Sequence, residues 1–250
     1  MSACFTLTAV TLIHVIPSQG IYDVWTLTTL DDDVFLVRSY SKQVEVYDAV
    51  TVTLQRHIAV PGLGRWSNGI TACARNKCIH LSDWDLQSSY SSVQRVELSG
   101  RNAVKEWSVA SDPVGLSVNK AHNLVVTCSE ANKLQEYTTH GTLVREICLQ
   151  PGVTAPWQAM QVSTGDYVVS QQTSQGVVSV VGVDGQVVRS YGQSQTSDVG
   201  QMKGPSGLAV TKNDDILVAD KNNNRILSIK RSTGCVQELA LSIDGGIPST

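Results

Sequence analysis

Residues 190–229 read SYGQSQTSDVGQMKGPSGLAVTKNDDILVADKNNNRILSI. A Gly-rich linker, residues 192–204, leads to three short apolar runs at 207–210, 216–219 and 226–229. Runs of this length between clusters of Gly, Asn, Asp and Lys predict consecutive antiparallel strands. Because one such unit cannot bury its own faces, the stretch predicts that similar units recur along the chain.

The unit occurs five times. Its second apolar run begins at residues 34, 79, 124, 167 and 216. The residue that follows this run is, in chain order, Arg38, Asp83, Cys128, Gln171 and Asp220. Four runs can be recognised in each unit, and four strands at a period near 45 residues predict the blades of a β-propeller. The turns between third and fourth strands contain Gly100, Gly141, Gly185 and Gly234, where positive φ angles cost glycine little. The predicted fold is therefore an all-β propeller of four-stranded antiparallel blades.

The predicted ring is not closed. Residues 21–250 supply five complete blades of an NHL-type propeller, whereas residues 1–20 are expected to supply the outer strand of an incomplete blade. A weak signal-like segment is the alternative for residues 1–20, although no Lys or Arg precedes the apolar run. Closing a six-bladed ring would need three more strands after Thr250, so we expect a fragment of a longer protein or a partly open ring.

Composition and charge restrict the partners. The chain has 250 residues, 16% of them charged, and a net charge of −3, which gives no general attraction to DNA or anionic membranes. Six scattered cysteines favour a reduced, cytoplasmic setting. If residues 1–20 are a signal peptide, an extracellular setting is expected instead. Cys73 and Cys78 flank a predicted hairpin turn, where two buried thiols are favoured over a disulfide or a zinc site.

Residues 190–229 resemble an NHL repeat, the blade unit of six-bladed propellers. The matching features are Tyr191-Gly192, Gly200-Gln201-Met202, Pro205, Gly207-Leu208-Ala209-Val210, Val218-Ala219-Asp220 and Asn224-Arg225-Ile226. From residue 21 onward the chain resembles the propeller of tripartite-motif NHL proteins, which binds a protein or RNA while a separate RING finger transfers ubiquitin. The resemblance implies a non-enzymatic protein-interaction module of a scaffold or ubiquitin-ligase-like protein, with no cofactor.

Two enzyme families share the expected architecture. Metal-dependent lactonases of the gluconolactonase type carry Asn and Asp between Pro and Gly, and here those positions hold Val114 and Ser206, while an SNGI turn offers Asn68. NHL-type amidating lyases need histidines that converge on zinc. The five histidines of this chain fall at different blade positions: His14, His57, His80, His122 and His140. We therefore expect no metal and no catalytic residue, with a lactonase-like hydrolase as the alternative.

Propellers bind partners through the loops at one end of the central channel. Trp and Arg residues near the blade entries are the candidate anchors: Trp25, Arg38, Arg65, Trp66 and Trp157. Each Trp could instead pack between blades. Lys and Arg residues are spread along the chain, so RNA ranks below protein as the partner.

Three charged residues have an expected structural role. Asp220 and Arg225 should join the end of the second strand to the start of the third in their own blade. Asp83 should make a related turn contact in its own blade, because it occupies the same position after the second apolar run.

Overall fold

The computed structural model describes residues 9–12, 24–64, 67–85, 90–100, 102–110, 112–173, 175–192 and 200–243. Within these residues the chain forms five four-stranded sheets and one two-stranded sheet. Blade 1 consists of β2 (Val24–Leu30), β3 (Asp33–Arg38), β4 (Gln43–Asp48) and β5 (Leu54–Ala59). Blade 2 consists of β6 (Ile70–Cys73), β7 (Cys78–Asp85), β8 (Tyr90–Glu97) and β9 (Val104–Ser108).

The remaining three blades repeat this order. Blade 3 consists of β10 (Pro113–Val118), β11 (Leu124–Cys128), β12 (Lys133–Tyr137) and β13 (Leu143–Cys148). Blade 4 consists of β14 (Pro156–Gln161), β15 (Tyr167–Gln171), β16 (Val177–Val181) and β17 (Val187–Tyr191). Blade 5 consists of β18 (Pro205–Val210), β19 (Ile216–Asp220), β20 (Arg225–Lys230) and β21 (Cys235–Glu238). All pairs within the blades are antiparallel, which confirms the predicted fold class.

The first strand of each blade lies on the inside of the ring, and consecutive inner strands pack against one another from β2 to β18. The middle strands form the core between neighbouring blades. Phe35 of blade 1 packs in one cluster with Ile79 of blade 2, and Val168 of blade 4 packs in another with Leu227 of blade 5. Strand β15 is buried along its whole length because blades cover both of its faces. The apolar runs predicted as middle strands therefore hold the blades together.

Two kinds of turn residue shape the blades. Gly100, Gly141, Gly185 and Gly234 all have positive φ angles, between 75° and 86°, as the turns between third and fourth strands require. In blade 5 a short 3₁₀ turn, Lys221–Asn223, follows the second strand and ends on Asn224 in the left-handed conformation. No helix long and apolar enough to span a membrane occurs in the part of the chain that the structure describes.

The structure shows five blades, and a sixth is not formed by the described residues. Strand β1 (Ala9–Leu12) pairs in parallel with β22 (Ala240–Ile243) in a separate two-stranded sheet. The run predicted as one fourth strand, residues 236–241, is divided between β21 and β22 at Leu239, which is buried and donates its backbone N–H to the carbonyl of Ile226. Most of residues 1–20 lie outside the described residues.

Candidate functional site

The inner strands begin with an irregular pairing at one mouth of the channel. Val24 pairs with Arg38 and Thr26 with Val37, so Trp25 is left over as a β-bulge. Val114 and Trp157 occupy the same unpaired position in blades 3 and 4, and Ser206 lies in the wider irregularity of blade 5. A bulge re-aims the side chain of the extra residue, and bulges often lie beside functional sites.

Blade 2 presents Asn68 at the matching position, just before Gly69, which pairs with Ser82 through a 2.9 Å backbone hydrogen bond. We call the five equivalent residues the bulge ring: Trp25, Asn68, Val114, Trp157 and Ser206. The Nε1 of Trp25 donates a hydrogen bond to Oδ1 of Asn68, which links blades 1 and 2 across the ring. Trp25 keeps 40% of its surface exposed, so its indole both joins the ring and faces solvent.

The bulge ring borders a cavity of about 570 Å³ that runs into the channel. Residues of all five inner strands line this cavity, together with residues of β19 and β20. Its described lining contains aliphatic, Trp, Gly, Ser, Thr, Asn and Gln side chains and no charged one. An apolar cavity with a few convergent polar groups is the usual form of a ligand site.

Hydrogen bonds behind the ring hold it in place. The Oγ of Ser170 accepts from the backbone N–H of Gln158 at 3.2 Å and donates to the carbonyl of Ser206 at 3.0 Å. The Oε1 of Gln158 accepts the backbone N–H of Leu208 at 2.6 Å. Blades 4 and 5 are thus joined beneath Trp157 and Ser206, so this part of the mouth is pre-formed.

The five predicted anchors lie in different environments or outside the described residues. Trp25 and Trp157 both lie in the bulge ring and line the cavity. Arg65 and Trp66 lie outside the described residues. Arg38 does not fit the expected surface anchor, because only 5% of it is exposed and its Nε lies 3.0 Å from Oε1 of Glu45. The guanidinium is buried within blade 1, where its charge is balanced by Glu45.

Asp220 and Arg225 are brought together in blade 5. The Oδ2 of Asp220 accepts hydrogen bonds from Nε of Arg225 at 2.9 Å and from Nδ2 of Asn223 at 2.7 Å. Its Oδ1 accepts the backbone N–H of Lys203, in the linker before the blade, at 2.7 Å. In blade 2, Oδ2 of Asp83 likewise accepts the backbone N–H of Gly64, 19 residues earlier, at 3.0 Å.

Two glutamines, for which the sequence predicted no role, make the same linker contact. In blade 4, Oε1 of Gln171 accepts the backbone N–H of Thr154 at 2.8 Å. In blade 3, where Cys128 occupies the aspartate position, Oε1 of Gln135 accepts the N–H of Ala110 at 2.8 Å. When the blades are aligned by sequence, Gln171 occupies the same position as Asp83 and Asp220, so the alignment could have identified it. No such signal exists for Gln135, which lies on the next strand.

No group of three or more His, Cys, Asp or Glu side chains that could hold a metal occurs among the described residues. Cys73 and Cys78 lie directly opposite each other on β6 and β7 and are both buried free thiols. The positions where lactonases carry Asn and Asp hold Asn68, Val114 and Ser206 of the bulge ring. One amide and one hydroxyl are a poor ligand set for a hard cation.

Residues 202–227 match the family model of the NHL repeat. Blade 5 is therefore similar to an NHL repeat over its first two strands and the start of its third. The match covers this blade alone, and no curated protein matches the chain. The expected relation to tripartite-motif proteins, and with it to scaffolds and the ubiquitin pathway, is therefore not shown.

Many solved structures share the fold. A protein of unknown function from Bacteroides caccae is 14% identical with a TM-score of 0.63, covering 89% of this chain and 83% of that one. Virginiamycin B lyase from Staphylococcus aureus, a catalytically inactive variant with quinupristin, is 14% identical with a TM-score of 0.65, covering 94% and 74%. Hydrazine synthase from Kuenenia stuttgartiensis is 17% identical with a TM-score of 0.62, covering 91% and 70%.

These similarities correct the prediction that the chain is not an enzyme. Virginiamycin B lyase and hydrazine synthase are enzymes, and their structures match most of this chain. At such low identity the similarity shows the fold alone, and one fold supports many functions. The propeller architecture therefore gives no reason to exclude catalysis.

Proposed function

We propose that the chain binds a polypeptide partner at the bulge ring and acts as a protein-interaction propeller. The observation that carries the proposal is the position of Trp25 and Trp157 at equivalent bulges around one mouth of an uncharged, pre-formed cavity of about 570 Å³. Trp residues supply much of the binding energy at protein interfaces because a large apolar surface is buried at little entropic cost.

The chemistry of the cavity favours a polypeptide over RNA. Binding of nucleic acid depends on Lys and Arg contacts to phosphates. The described lining has none and instead offers indoles, the Asn68 amide and the Ser206 hydroxyl. Apolar side chains and backbone amides of a peptide match these groups. A nucleic acid partner would predict steep loss of affinity with added salt, and this proposal predicts a weak dependence.

A peptide-display selection tests the proposal. We expect selection on the wild-type protein, with counter-selection on a Trp25→Ala, Trp157→Ala double variant, to enrich peptides rich in apolar residues. A synthetic enriched peptide should lose about 2 kcal/mol of binding free energy, roughly 30-fold in Kd, on either single Trp substitution. The control is Val188→Ala on β17, a 66% exposed residue outside the cavity lining. Peptides that bind the double variant as well as the wild type would overturn the proposal.

A second candidate function is catalysis on a ligand held in the same cavity. It is favoured by the structural match to virginiamycin B lyase, which was solved with quinupristin. The test is incubation of this protein with quinupristin, followed by liquid chromatography and mass spectrometry over hours. Consumption that the Trp157→Ala substitution abolishes would establish an enzyme acting at the bulge ring. An unchanged quinupristin signal would reject that substrate.

A further inference from the structure

In blades 2, 3 and 4, one equivalent position contacts the inner strand of the next blade. In blade 2 this residue is Gly69, and a Cβ there would lie 3.1 Å from both the backbone N and the side-chain Cγ of Leu116 in blade 3. In blade 3 it is Gly115, where a Cβ would lie 2.9 Å from Cα of Gln158 in blade 4. In blade 4, Gln158 itself reaches the backbone N–H of Leu208 in blade 5.

Blade 5 breaks this series. A Cβ at Gly207, the matching position, would meet only Cβ of Ala219 in its own blade at 3.5 Å, with no other described atom within 4 Å. The face beside it is only half covered: burial alternates along β19, so that Leu217 and Ala219 are partly exposed, as is Ile226 on β20. The equivalent strand of blade 4 is buried throughout.

The other side of this gap is also apolar. Val24 and Leu27 of β2, the inner strand of blade 1, are 40% and 53% exposed. The cavity of the bulge ring is lined by these two residues and by Leu217, Ala219 and Ile226, so that it joins the two flanks. We call this region the blade slot: Val24, Leu27, Gly207, Leu217, Ala219 and Ile226.

We propose that the blade slot binds an extended polypeptide segment of a partner, with aliphatic side chains at alternate positions, packed as the inner strand of a further blade. The argument is continuity with an existing interface, because the next inner strand covers the same position in blades 2, 3 and 4. Repeat structures bury their apolar faces by stacking one unit on the next, and blade 5 lacks that neighbour among the described residues. The proposal rests on the proposed function, since it defines the shape of the polypeptide partner.

The space beside Gly207 fits a bound strand better than a bound helix. In the blade 2 junction, the backbone and side chain of Leu116 can approach Gly69 closely because Gly69 has no side chain. A helix carries its backbone beneath a layer of side chains and could not approach so closely. A strand presents every second side chain to one face, which matches the alternating exposed residues of β19.

The chain supplies a probe for this experiment. The hairpin β10–β11 lies in residues 112–128 and carries Leu116, the residue that covers Gly69 in the ring. A fluorescein-labelled peptide of this sequence with Cys128→Ser should bind the wild-type protein saturably, measured by fluorescence anisotropy. The same peptide with Leu116→Asp should bind about tenfold or more weakly, because a carboxylate would have to enter the apolar slot.

Two protein variants localise the binding. Gly207→Glu should weaken binding of the peptide about tenfold or more by placing a charge in the slot. Gly152→Glu is the matched control, because Gly152 also has one neighbour, at 3.5 Å, and lies outside the cavity lining. Circular dichroism should show both variants folded. If Gly207→Glu did not fold, the tenfold difference between the unchanged and the Leu116→Asp peptides on the wild-type protein would still test the slot.

Three outcomes would overturn the proposal: no saturable binding, equal binding to the Gly207→Glu variant, or equal binding of the Leu116→Asp peptide. A wild-type dimer that Gly207→Glu converts to monomer, by analytical ultracentrifugation, would assign the slot to a second copy and reject it as well. The Trp157→Ala variant distinguishes a failure of the proposed function from a failure of the blade-slot proposal. That substitution tests the peptides selected on the bulge ring, whereas Gly207→Glu tests the hairpin peptide.

Discussion

Asp220 lies fully buried at the end of β19 and accepts a 2.9 Å hydrogen bond from Nε of Arg225, the first residue of β20. The same carboxylate accepts the backbone N–H of Lys203, and Nη2 of Arg225 donates to the carbonyl of Gln201 at 2.6 Å. One ion pair therefore closes the turn between two strands and attaches the linker from the preceding blade. In this way a local turn motif also fixes the position of blade 5 relative to blade 4.

We expect Asp220→Ala to lower the free energy of unfolding by about 3 kcal/mol, because it leaves Nε of the largely buried Arg225 and the backbone N–H of Lys203 without their acceptor. Urea unfolding followed by circular dichroism measures this change. The comparison is Lys77→Ala, which removes the exposed pair of Lys77 with Asp31 and should cost about 1 kcal/mol or less. Equal effects of the two substitutions would contradict the interpretation.

The blades could be predicted because their signals are local. Each strand is a short apolar run between turn residues, and five repetitions make the assignment robust. The burial of Arg38 in an ion pair could not be predicted, because its partner Glu45 lies on the next strand and only the register of β3 and β4 brings the two residues together. The linker contact of Gln135 was missed for a similar reason, since blade 3 moves the acceptor to another strand.

The candidate site was predicted only in part. Trp25 and Trp157 could be selected as anchors by residue type and position. The equivalent positions of Trp25 and Trp157 depend on β-bulges that shift the register by one residue, and the strand pairing that defines these bulges became visible only in the structure. The hydrogen bond from Trp25 to Asn68 joins residues 43 positions apart in the chain, so this link between blades 1 and 2 became visible only in three dimensions.

Two glycines at equivalent positions should respond oppositely to alanine. A methyl group on Gly115 would lie 2.9 Å from Cα of Gln158, and closer still to the carbonyl of Trp157, so the neighbouring backbone has to move. We expect Gly115→Ala to cost about 2 kcal/mol of unfolding free energy. Gly207→Ala has room and should be neutral or stabilising by about 0.5 kcal/mol, because it reduces the entropy of the unfolded chain. Urea unfolding curves of the two variants test this difference.

The cysteines should differ in reactivity. Cys148 is exposed, whereas Cys73, Cys78 and Cys128 are buried. Burial raises the pKa of Cys78, and it raises that of Cys128 to about 12, so both remain protonated and poorly nucleophilic. We expect iodoacetamide to modify Cys148 in the native protein and the buried three only after unfolding in urea, as shown by peptide mapping. A Cys73–Cys78 disulfide in the unreduced map would contradict the thiol assignment.

His80 is a buried histidine on β7 of blade 2. Its side chain is fully buried, and its ring meets the edge of Trp107 with centroids 6.0 Å apart. Burial lowers the pKa of His80 to about 4, and the charges of Arg95 and His140 act in the same direction. The folded protein therefore holds this imidazole neutral at a pH where an exposed histidine would be protonated.

This difference predicts a loss of stability on acidification. In the unfolded chain His80 should titrate near its ordinary pKa of about 6.5, so between that pH and about pH 4 the unfolded state binds the extra proton. The contribution of neutral His80 is complete above about pH 6.5 and is lost as the pH falls through this window, by about 3 kcal/mol in total. We expect the free energy of unfolding of His80→Gln, measured in urea from pH 7 to pH 4, to lack this loss of about 3 kcal/mol. The control is His57→Gln, at an exposed histidine, which should lose stability with falling pH as the wild type does. Identical pH profiles of unfolding free energy for the wild type and His80→Gln would contradict the prediction.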